Sequence, residues 1–280
     1  MESDAAPDTA AAPEPEASAP KESWWATLRF VLVLFVAAVV LRTFIVAPFN
    51  IPSRSMLPRL LIGDYLFVAK WSYGYSRFSF PLGLIGFDGR ILGSLPARGD
   101  VVVFRYPGGR DEDLVKRVIG LPGDTIEVRD GAVILNGRPL GRERLADFTT
   151  PVSPNSPCGG PAVRELAAPG GERLCVIPRF RESLPDGTSY DVLDQVTNGP
   201  ADTFGPVTVP EGDVFVMGDN RDDSLDSRFP TSSGGVGMLP VDHILGRVLV
   251  GFWSTDGSSS WLLPWTWFSA ARWSRIGITS

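Results

Sequence analysis

The most prominent hydrophobic feature of the chain is an apolar run close to its N-terminus. Twelve consecutive apolar residues extend from Phe30 to Leu41, and after one arginine the apolar character resumes as far as Ala47. A helix from Trp24 to Ala47 would rise about 34–35 Å, enough to cross the hydrocarbon core of a bilayer. We therefore predict a transmembrane helix over residues 23–47.

Two other structures fit an apolar run of this length, namely a cleaved signal peptide and a buried core helix. Cleavage requires small residues at a suitable spacing after the apolar run. The first candidate, Ala47, has Ile45 two positions before it and Pro48 directly after it, which is a poor cleavage site. We therefore favour an uncleaved anchor. Its orientation does not follow from charge, because basic residues flank both of its ends.

Beyond the apolar run, the pattern is typical of β-strands. Short runs rich in β-branched and aromatic residues are separated by glycine and proline. These runs are Asp64 to Lys70, Asp100 to Tyr106, Leu114 to Ile119, Asp213 to Met217 and Ile244 to Trp253. Asp130-Gly131 and Asn136-Gly137 lie between apolar stretches and are strong hairpin signals. With no further helical pattern of convincing length, we predict a mostly β protein with a single N-terminal transmembrane helix.

The β pattern weakens between Gly141 and Pro210, where proline, glycine and serine dominate. We interpret this stretch as a second β-rich domain inserted into a β core. The predicted segments are a disordered acidic tail (1–22), the transmembrane helix (23–47), the first part of the core (48–140), the insertion (141–210), the second part of the core (211–255) and a Trp-rich membrane-surface tail (256–280). The aromatic, charge-poor stretch 71–96 either packs on the core or enters lipid.

Composition and charge narrow the class of protein. The 280 residues carry a formal net charge of −6, but residues 1–22 hold six acids and one base, so the rest of the chain is nearly neutral. A nucleic-acid-binding surface is therefore not expected. The chain has two cysteines and one histidine, which exclude cysteine-rich and multi-histidine metal sites, and we expect neither metal nor cofactor. Five of the eight tryptophans follow residue 250, which indicates a membrane surface.

Two segments contain candidate catalytic side chains. In Ile51 to Pro58, the hydroxyls of Ser53 and Ser55 stand on alternate positions, so one can act as nucleophile and the other as a hydrogen-bond donor. In the run that begins at Asp113, Lys116 shares a strand face with apolar residues, and loss of solvation can turn a lysine into a general base. Taken singly, the first segment is better explained as a polar turn after a helix and the second as a solvated Lys-Arg pair on an edge strand.

A third segment, Gly218 to Arg228, alternates acids, hydroxyls and arginines. A calcium loop counted from Asp219 fails, because position six is Ser224 instead of glycine and position twelve is Pro230 instead of glutamate. We interpret it as a self-neutralised, hydrogen-bonded loop. A Ser-His-Asp triad would need His243, which no serine motif accompanies, whereas a serine nucleophile with a lysine base remains open.

Taken together and in order, the motifs resemble the type I signal peptidase family, the membrane-bound Ser/Lys peptidases. The motifs are IPSRSMLPRLLIGDYL, RGDVVVFRYP, LVKRVIGLPGD and GDNRDDSLDSR. The resemblance implies that Ser55 is the nucleophile and Lys116 the general base, and that the Ser53 hydroxyl joins the Ser55 backbone N–H in the oxyanion hole. It also implies that Ser224 orients the lysine and that Asp226 and Arg228 form a supporting pair.

The family resemblance also carries expectations about substrate, location and fold. It implies cleavage of secretory preproteins after small-x-small motifs, at the outer face of a bacterial cytoplasmic membrane that the protein crosses once. It implies a mostly β catalytic core with a second β domain inserted between the lysine and GDN motifs. We expect a monomer whose partners are preproteins and the lipid bilayer. As walls of the substrate pockets we name the apolar neighbours of the motifs: Ile51, Met56, Leu60, Leu114 and Met217.

Two residues depart from the family pattern. Arg54 stands where glycine is frequent, and it would distort the oxyanion geometry if its backbone required a positive φ. Asp223 stands where asparagine is more usual, and a carboxylate facing Lys116 would raise the pKa of that lysine. We expect Asp223 to point away from the lysine.

The two cysteines lie in a domain that the resemblance assigns to the oxidising side of the membrane. We expect a disulfide between Cys158 and Cys175, because no third cysteine competes. Two unpaired thiols are the alternative.

Two other functions remain to be weighed against a signal peptidase. A membrane-tethered β-domain that only binds partners would have no reason to combine Ser55, Lys116 and Ser224. A repressor-type Ser/Lys autoprotease would need a DNA-binding domain in place of the apolar helix, and the sequence contains no sign of one.

Overall fold

The computed structural model describes residues 24–80, 86–160, 163–260 and 262–278 of the chain. The predicted acidic tail, residues 1–22, lies outside the described residues. The chain forms two compact units, and the boundary between them lies between Val39 and Val40.

The first unit contains most of the long apolar helix. Helix α1 (Trp24–Val40) continues as a π-helical turn (Leu41–Ile45), and together they form the one helix among the described residues that is long and apolar enough to cross a membrane. The helical run ends two residues earlier than predicted. Val46 instead pairs with Ala69 in the first strand, and the helix does not resume at Ala47, because the residue directly before a proline is biased towards extended backbone.

The second unit is built almost entirely from strands. The strands of the described residues are β1 (Val46–Asn50), β2 (Asp64–Ala69), β3 (Tyr75–Ser76), β4 (Arg90–Ile91), β5 (Val101–Arg105), β6 (Asp113–Gly120), β7 (Thr125–Arg129), β8 (Ala132–Leu135), β9 (Arg138–Pro139), β10 (Gly141–Arg144), β11 (Phe148–Pro151), β12 (Arg164–Ala167), β13 (Arg173–Ile177), β14 (Arg179–Ser183), β15 (Ser189–Leu193), β16 (Phe204–Thr208), β17 (Asp213–Met217), β18 (Leu239–Pro240) and β19 (Ile244–Ser254). A five-residue helix, α2 (Trp265–Ser269), follows them. The short 3₁₀ turns are Lys70–Tyr73, Arg77–Ser79, Arg221–Asp223, Thr231–Ser233, Val241–His243 and Trp273–Arg275. The prediction of a mostly β protein with one N-terminal apolar helix is confirmed.

A seven-stranded antiparallel sheet carries the candidate site. Its strand order is β1-β2-β19-β5-β6-β17-β18, and it contains all five strands predicted from apolar runs. Alternate residues of β5 contribute to two different buried clusters, Val101 and Val103 to one and Val102 and Phe104 to the other. The centre of this sheet is therefore apolar on both faces, and β6, which carries the candidate lysine, lies beside it.

The two hairpin signals coincide with the turns of a smaller sheet, β16-β7-β8-β9. Asp130, Gly131, Asn136 and Gly137 all have positive φ, between 51° and 76°, as the turns of two-residue hairpins require.

The predicted insertion, residues 141–210, contains two three-stranded sheets, β10-β14-β15 and β11-β13-β12. Its last strand, β16, instead pairs with β7 of the preceding segment. Cys158 and Cys175 form the expected disulfide within this segment, so the chain has no free cysteine. The boundaries of the insertion as a separate domain stay a prediction.

The described part of the aromatic stretch 71–96 is divided between core and surface. Tyr73 is buried and donates a hydrogen bond from its hydroxyl to Asp100 at 2.7 Å, and the Phe78 ring contacts His243. Trp71 is half exposed. The tip of the stretch, residues 81–85, lies outside the described residues.

Candidate active site

Ser55 lies in the turn between β1 and β2. Main-chain hydrogen bonds hold this turn closed, since the Ile51 N–H donates to the Asp64 carbonyl at 2.9 Å. The Ser55 carbonyl accepts a hydrogen bond of 3.0 Å from the N–H of Asn220, in the loop that follows β17. Ser55 is only 7% exposed. The backbone around its hydroxyl is therefore fixed from two directions.

Lys116 lies in the middle of β6 and reaches the Ser55 side chain. Its Nζ donates to the Ser55 Oγ at 2.6 Å, and the lysine is 4% exposed. Loss of solvation on burial lowers the pKa of Lys116 to about 8, although the carboxylates of Asp226 and Asp219 act in the opposite direction. A lysine with this pKa is neutral in a useful fraction of molecules near neutral pH.

The strand face explains the burial of the lysine. Leu114 and Val118, two positions to either side of Lys116, pack in the same buried cluster as Val102, the residue opposite Lys116 on β5. This arrangement agrees with the expectation that Lys116 shares a strand face with apolar residues. The β6 pattern thus supplies the apolar surroundings that disfavour an ammonium ion.

Ser53 lies beside the candidate nucleophile. Its Oγ is 3.3 Å from the Ser55 Oγ, and Ser53 is itself exposed. The backbone N–H of Ser55 makes no hydrogen bond to any of the described residues. The Ser53 hydroxyl and an N–H with no partner among the described residues are thus both available next to the Ser55 Oγ, and these are the two kinds of donor that an oxyanion hole uses.

Ser224 approaches the same site from the loop after β17. It is 5% exposed, and its hydroxyl makes no hydrogen bond of good geometry within the described residues, so a bond to Lys116 is not formed. The loops meet closely at Gly218, where a Cβ would come 2.3 Å from the Ser224 Oγ and 2.5 Å from the Ser55 carbonyl oxygen. Only glycine fits between the two serines.

Asp226 and Arg228 form a fully buried ion pair behind the serines. The guanidinium is bidentate, with Nε 2.9 Å from Oδ1 and Nη2 2.8 Å from Oδ2 of the carboxylate. Burial alone would raise the pKa of Asp226, but Arg228 and the N–H of Gly218 hold it below its ordinary value. Because the pair is neutral as a whole, Asp226 fixes the loop without holding Lys116 fully in its charged form.

These side chains open into one pocket of about 510 Å³. Ser53, Ser55, Lys116 and Ser224 all line it. Its other lining residues are Arg110, Glu112, Leu114, Pro200, Ala201, Asp222, Asp223, Leu225, Phe229 and Gly234. Most of these lie in loops, and only Leu114 among them was expected from the sequence to be a pocket wall.

Four of the five predicted wall residues lie elsewhere. Ile51, Met56 and Leu60 are at most 3% exposed and pack in one core cluster, and Met217 is buried in another. These four do not line the pocket: Ile51, Met56 and Leu60 pack in the core below the serine turn, and Met217 packs in a separate buried cluster. Of the five residues expected to form pocket walls, only Leu114 lines this pocket.

The two residues that depart from the family pattern bind each other. Arg54 Nε lies 2.9 Å from Asp223 Oδ2, and Arg54 does not adopt a positive φ. Asp223 thus pairs with an arginine, and it ranks below Asp226 and Asp219 among the carboxylates that raise the pKa of Lys116.

Comparison with known proteins defines the class. A family model described as signal peptidase, peptidase S26, matches residues 24–253. Signal peptidase I of Rickettsia typhi is 32% identical over 243 residues, which cover 82% of this chain and 80% of the relative. Signal peptidase I of Rickettsia akari is 32% identical over 250 residues, with 84% and 80% covered. The crystal structure of a signal peptidase I from Enterococcus faecalis matches at 24% identity and a TM-score of 0.28, covering 55% of this chain and 97% of the other.

The family match extends over most of the chain and includes the apolar helix, the serine turn and the lysine strand. The protein is therefore a serine endopeptidase with an N-terminal helix suited to membrane anchoring. It belongs to the signal peptidase family, peptidase S26. The resemblance noted in the sequence is confirmed.

Proposed function

We propose that this protein removes signal peptides from secretory preproteins at a membrane, with Ser55 as nucleophile and Lys116 as general base. The observation that carries the proposal is the 2.6 Å contact between Lys116 Nζ and Ser55 Oγ in a pocket open to a peptide. A module that only binds partners would have no need for a buried lysine held against a serine hydroxyl. Family membership supports the same choice.

The proposed reaction is acyl transfer. Neutral Lys116 takes the proton of the Ser55 hydroxyl as Oγ attacks the scissile carbonyl, and a C–O bond forms. The Ser53 hydroxyl and the Ser55 N–H stabilise the oxyanion. The Lys116 ammonium then gives its proton to the leaving amine as the C–N bond breaks. Neutral Lys116 then takes a proton from water as the water oxygen attacks the acyl-enzyme carbonyl, and the Lys116 ammonium returns this proton to the Ser55 Oγ as the ester C–O bond breaks, which releases the signal peptide.

The loop after β17 has a supporting role in this proposal. The neutral Asp226–Arg228 pair fixes the loop. The loop in turn places Ser224 near the serine turn and donates the Asn220 N–H to the Ser55 carbonyl. We propose that the Ser224 hydroxyl bonds to Lys116 when a substrate fills the pocket, since catalytic hydrogen bonds often tighten only in the complex.

We propose a membrane-bound monomer that crosses the cytoplasmic membrane once, with the catalytic part on the outer side. The C-terminal segment supports contact with lipid. Arg275 binds buried Asp64 with Nη2 2.6 Å from Oδ2, which fixes the segment to the core, while Trp265 and Phe268 are each 67% exposed. Exposed aromatic rings of this kind favour the interfacial region of a bilayer.

We also propose that the pocket selects small residues at the first and third positions before the cut. An extended peptide beside a strand edge presents alternate side chains to one wall. Leu114, Leu225 and Phe229 supply apolar surface there.

The test is cleavage of a purified preprotein by the detergent-solubilised full chain, followed by mapping of the new N-terminus. We expect one cut, after a small-x-small motif. A preprotein with a bulky residue directly before the cut is the matched control and should stay intact. Equal cleavage of both, or none of either, would contradict the proposed function.

A further inference from the structure

Arg54 joins three segments of the chain around the site. It directly precedes Ser55 in the serine turn. Its Nε lies 2.9 Å from Oδ2 of Asp223, which directly precedes Ser224. Its Nη1 donates to the carbonyl of Gly159 at 2.7 Å, next to the disulfide-bonded Cys158. The side chain thus links the turn of the nucleophile to the loop after β17 and to the disulfide segment.

The carboxylates that act on the pKa of Lys116 are all paired with arginines. Three carboxylates act to raise its pKa, those of Asp226, Asp219 and Asp223, and Arg228 acts to lower it. Each carboxylate has a guanidinium partner. The pairs are Asp226–Arg228 at 2.8 Å, Asp219–Arg117 at 2.7 Å and Asp223–Arg54 at 2.9 Å. Charged Arg110, Glu112 and Asp222 also line the pocket.

The Arg54–Asp223 pair differs from the other two in its exposure. The side chains of the other pairs are at most 5% exposed, whereas those of Arg54 and Asp223 are 26% and 32% exposed. Removing a member of a buried pair leaves an uncompensated charge and costs several kcal/mol of stability. Changing this partly exposed pair is therefore expected to affect folding less than changing either buried pair.

We propose that Arg54 and Asp223 are a positioning pair of the site, an inference that rests on the proposed function. Arg54 cancels the Asp223 charge beside Lys116 and fixes the serine turn against the Gly159 segment. Neither residue touches the Ser55 hydroxyl, so both act through Lys116 and through the turn.

The two roles predict different kinetic effects. Asp223→Asn removes a carboxylate that favours the ammonium form and leaves Arg54 in place. The pH at which kcat/KM rises should therefore fall, by about 0.5 pH unit for a partly exposed charge. Arg54→Gln leaves the Asp223 carboxylate without its partner, so the rise should move to higher pH by a similar amount. The double variant, in which both charges are absent, should return close to the wild-type position.

The plateau rate at high pH reports the second role, because Lys116 is neutral there in every variant. Arg54→Gln loses the contact to the Gly159 carbonyl and should lower the plateau, whereas Asp223→Asn keeps this contact and should lower the plateau less. Arg54→Lys keeps the positive charge. The pH at which its kcat/KM rises should therefore lie closer to the wild-type value than its plateau rate does.

A matched control comes from the insertion. Asp191, whose side chain is 24% exposed, pairs with Arg179 and Arg181 and is not among the charges that act on Lys116. Asp191→Asn should shift neither the pH position nor the plateau. Thermal unfolding of each variant identifies any general loss of structure.

The experiment is the pH dependence of kcat/KM for preprotein cleavage by the full chain and these variants. Opposite shifts for the two single variants, with recovery in the double variant, support the positioning pair. Unchanged positions, shifts in the same direction, or an equal shift in Asp191→Asn would overturn it. The proposed function is tested separately on the wild type, because a wild type that fails to cut the preprotein refutes the signal peptidase proposal before any Arg54 variant is measured.

Discussion

Raising the pH from 7 to 9 is expected to increase kcat/KM about tenfold, through the deprotonation of Lys116. With a pKa of about 8, the neutral fraction of this lysine rises from roughly one tenth to roughly nine tenths over that interval. At its ordinary pKa of 10.5, only about three in ten thousand molecules would carry a neutral lysine at pH 7. Most of the neutral lysine present at pH 7 is therefore due to burial. The lowering of the Lys116 pKa corresponds to roughly 3 kcal/mol of free energy that disfavours the ammonium form.

The assay is kcat/KM for preprotein cleavage between about pH 6 and pH 10, which reports the pKa of the free enzyme's base. His243→Ala is the control, because His243 bonds to the Arg105 carbonyl and does not line the pocket. We expect one basic limb near pH 8 in both proteins. A flat profile, or a limb that disappears in His243→Ala, would show that Lys116 is not the base.

The same displacement affects stability. The pKa of Lys116 is lower in the folded protein than in the unfolded chain, so folding favours the neutral lysine. As the pH falls from about 10.5 to about 8, the unfolded chain binds a proton that the folded protein does not, and stability decreases. Below about pH 8 the folded protein also carries this proton, so Lys116 causes no further decrease in stability.

Three further predictions follow from the contacts at the site and in the insertion. Ser53→Ala should lower kcat on the order of 10²–10³-fold with little change in melting temperature, since one oxyanion donor is lost and the Ser55 N–H remains. Gly218→Ala should cost about 1–3 kcal/mol in urea unfolding and reduce cleavage, because its Cβ would meet Ser224 at 2.3 Å. Cys158→Ser should cost roughly 3 kcal/mol of unfolding free energy for a loop with a sequence separation of 17, whereas two reactive thiols in the denatured, unreduced wild type would refute the disulfide.

The candidate catalytic residues Ser55 and Lys116 were predictable from the sequence only when its motifs were taken together, because each segment alone also fits a non-catalytic role. Alternation on β6 indicated that Lys116 faces an apolar cluster, and the closely spaced serines indicated a nucleophile with a neighbouring hydroxyl. The Asn136-Gly137 turn was also predictable from local sequence, because such a turn needs two neighbouring residues with positive φ angles.

The features that were not predictable depend on long-range packing. The pocket walls Leu225 and Phe229 come from a loop whose local pattern says nothing about which side chains face the site. Met56 follows the nucleophile directly, yet its side chain enters the core. Arg54 and Asp223 each depart from the family pattern, and only the three-dimensional structure brings their side chains together.

The most direct test of the account compares preprotein cleavage by the wild type, Ser55→Ala and Lys116→Ala, with the product N-terminus mapped in each case. The wild type should release the mature protein at one site, and both variants should yield no product at that site while staying folded and membrane-bound. Cleavage by Lys116→Ala at the wild-type rate would contradict the assignment of Ser55 and Lys116 as the catalytic pair.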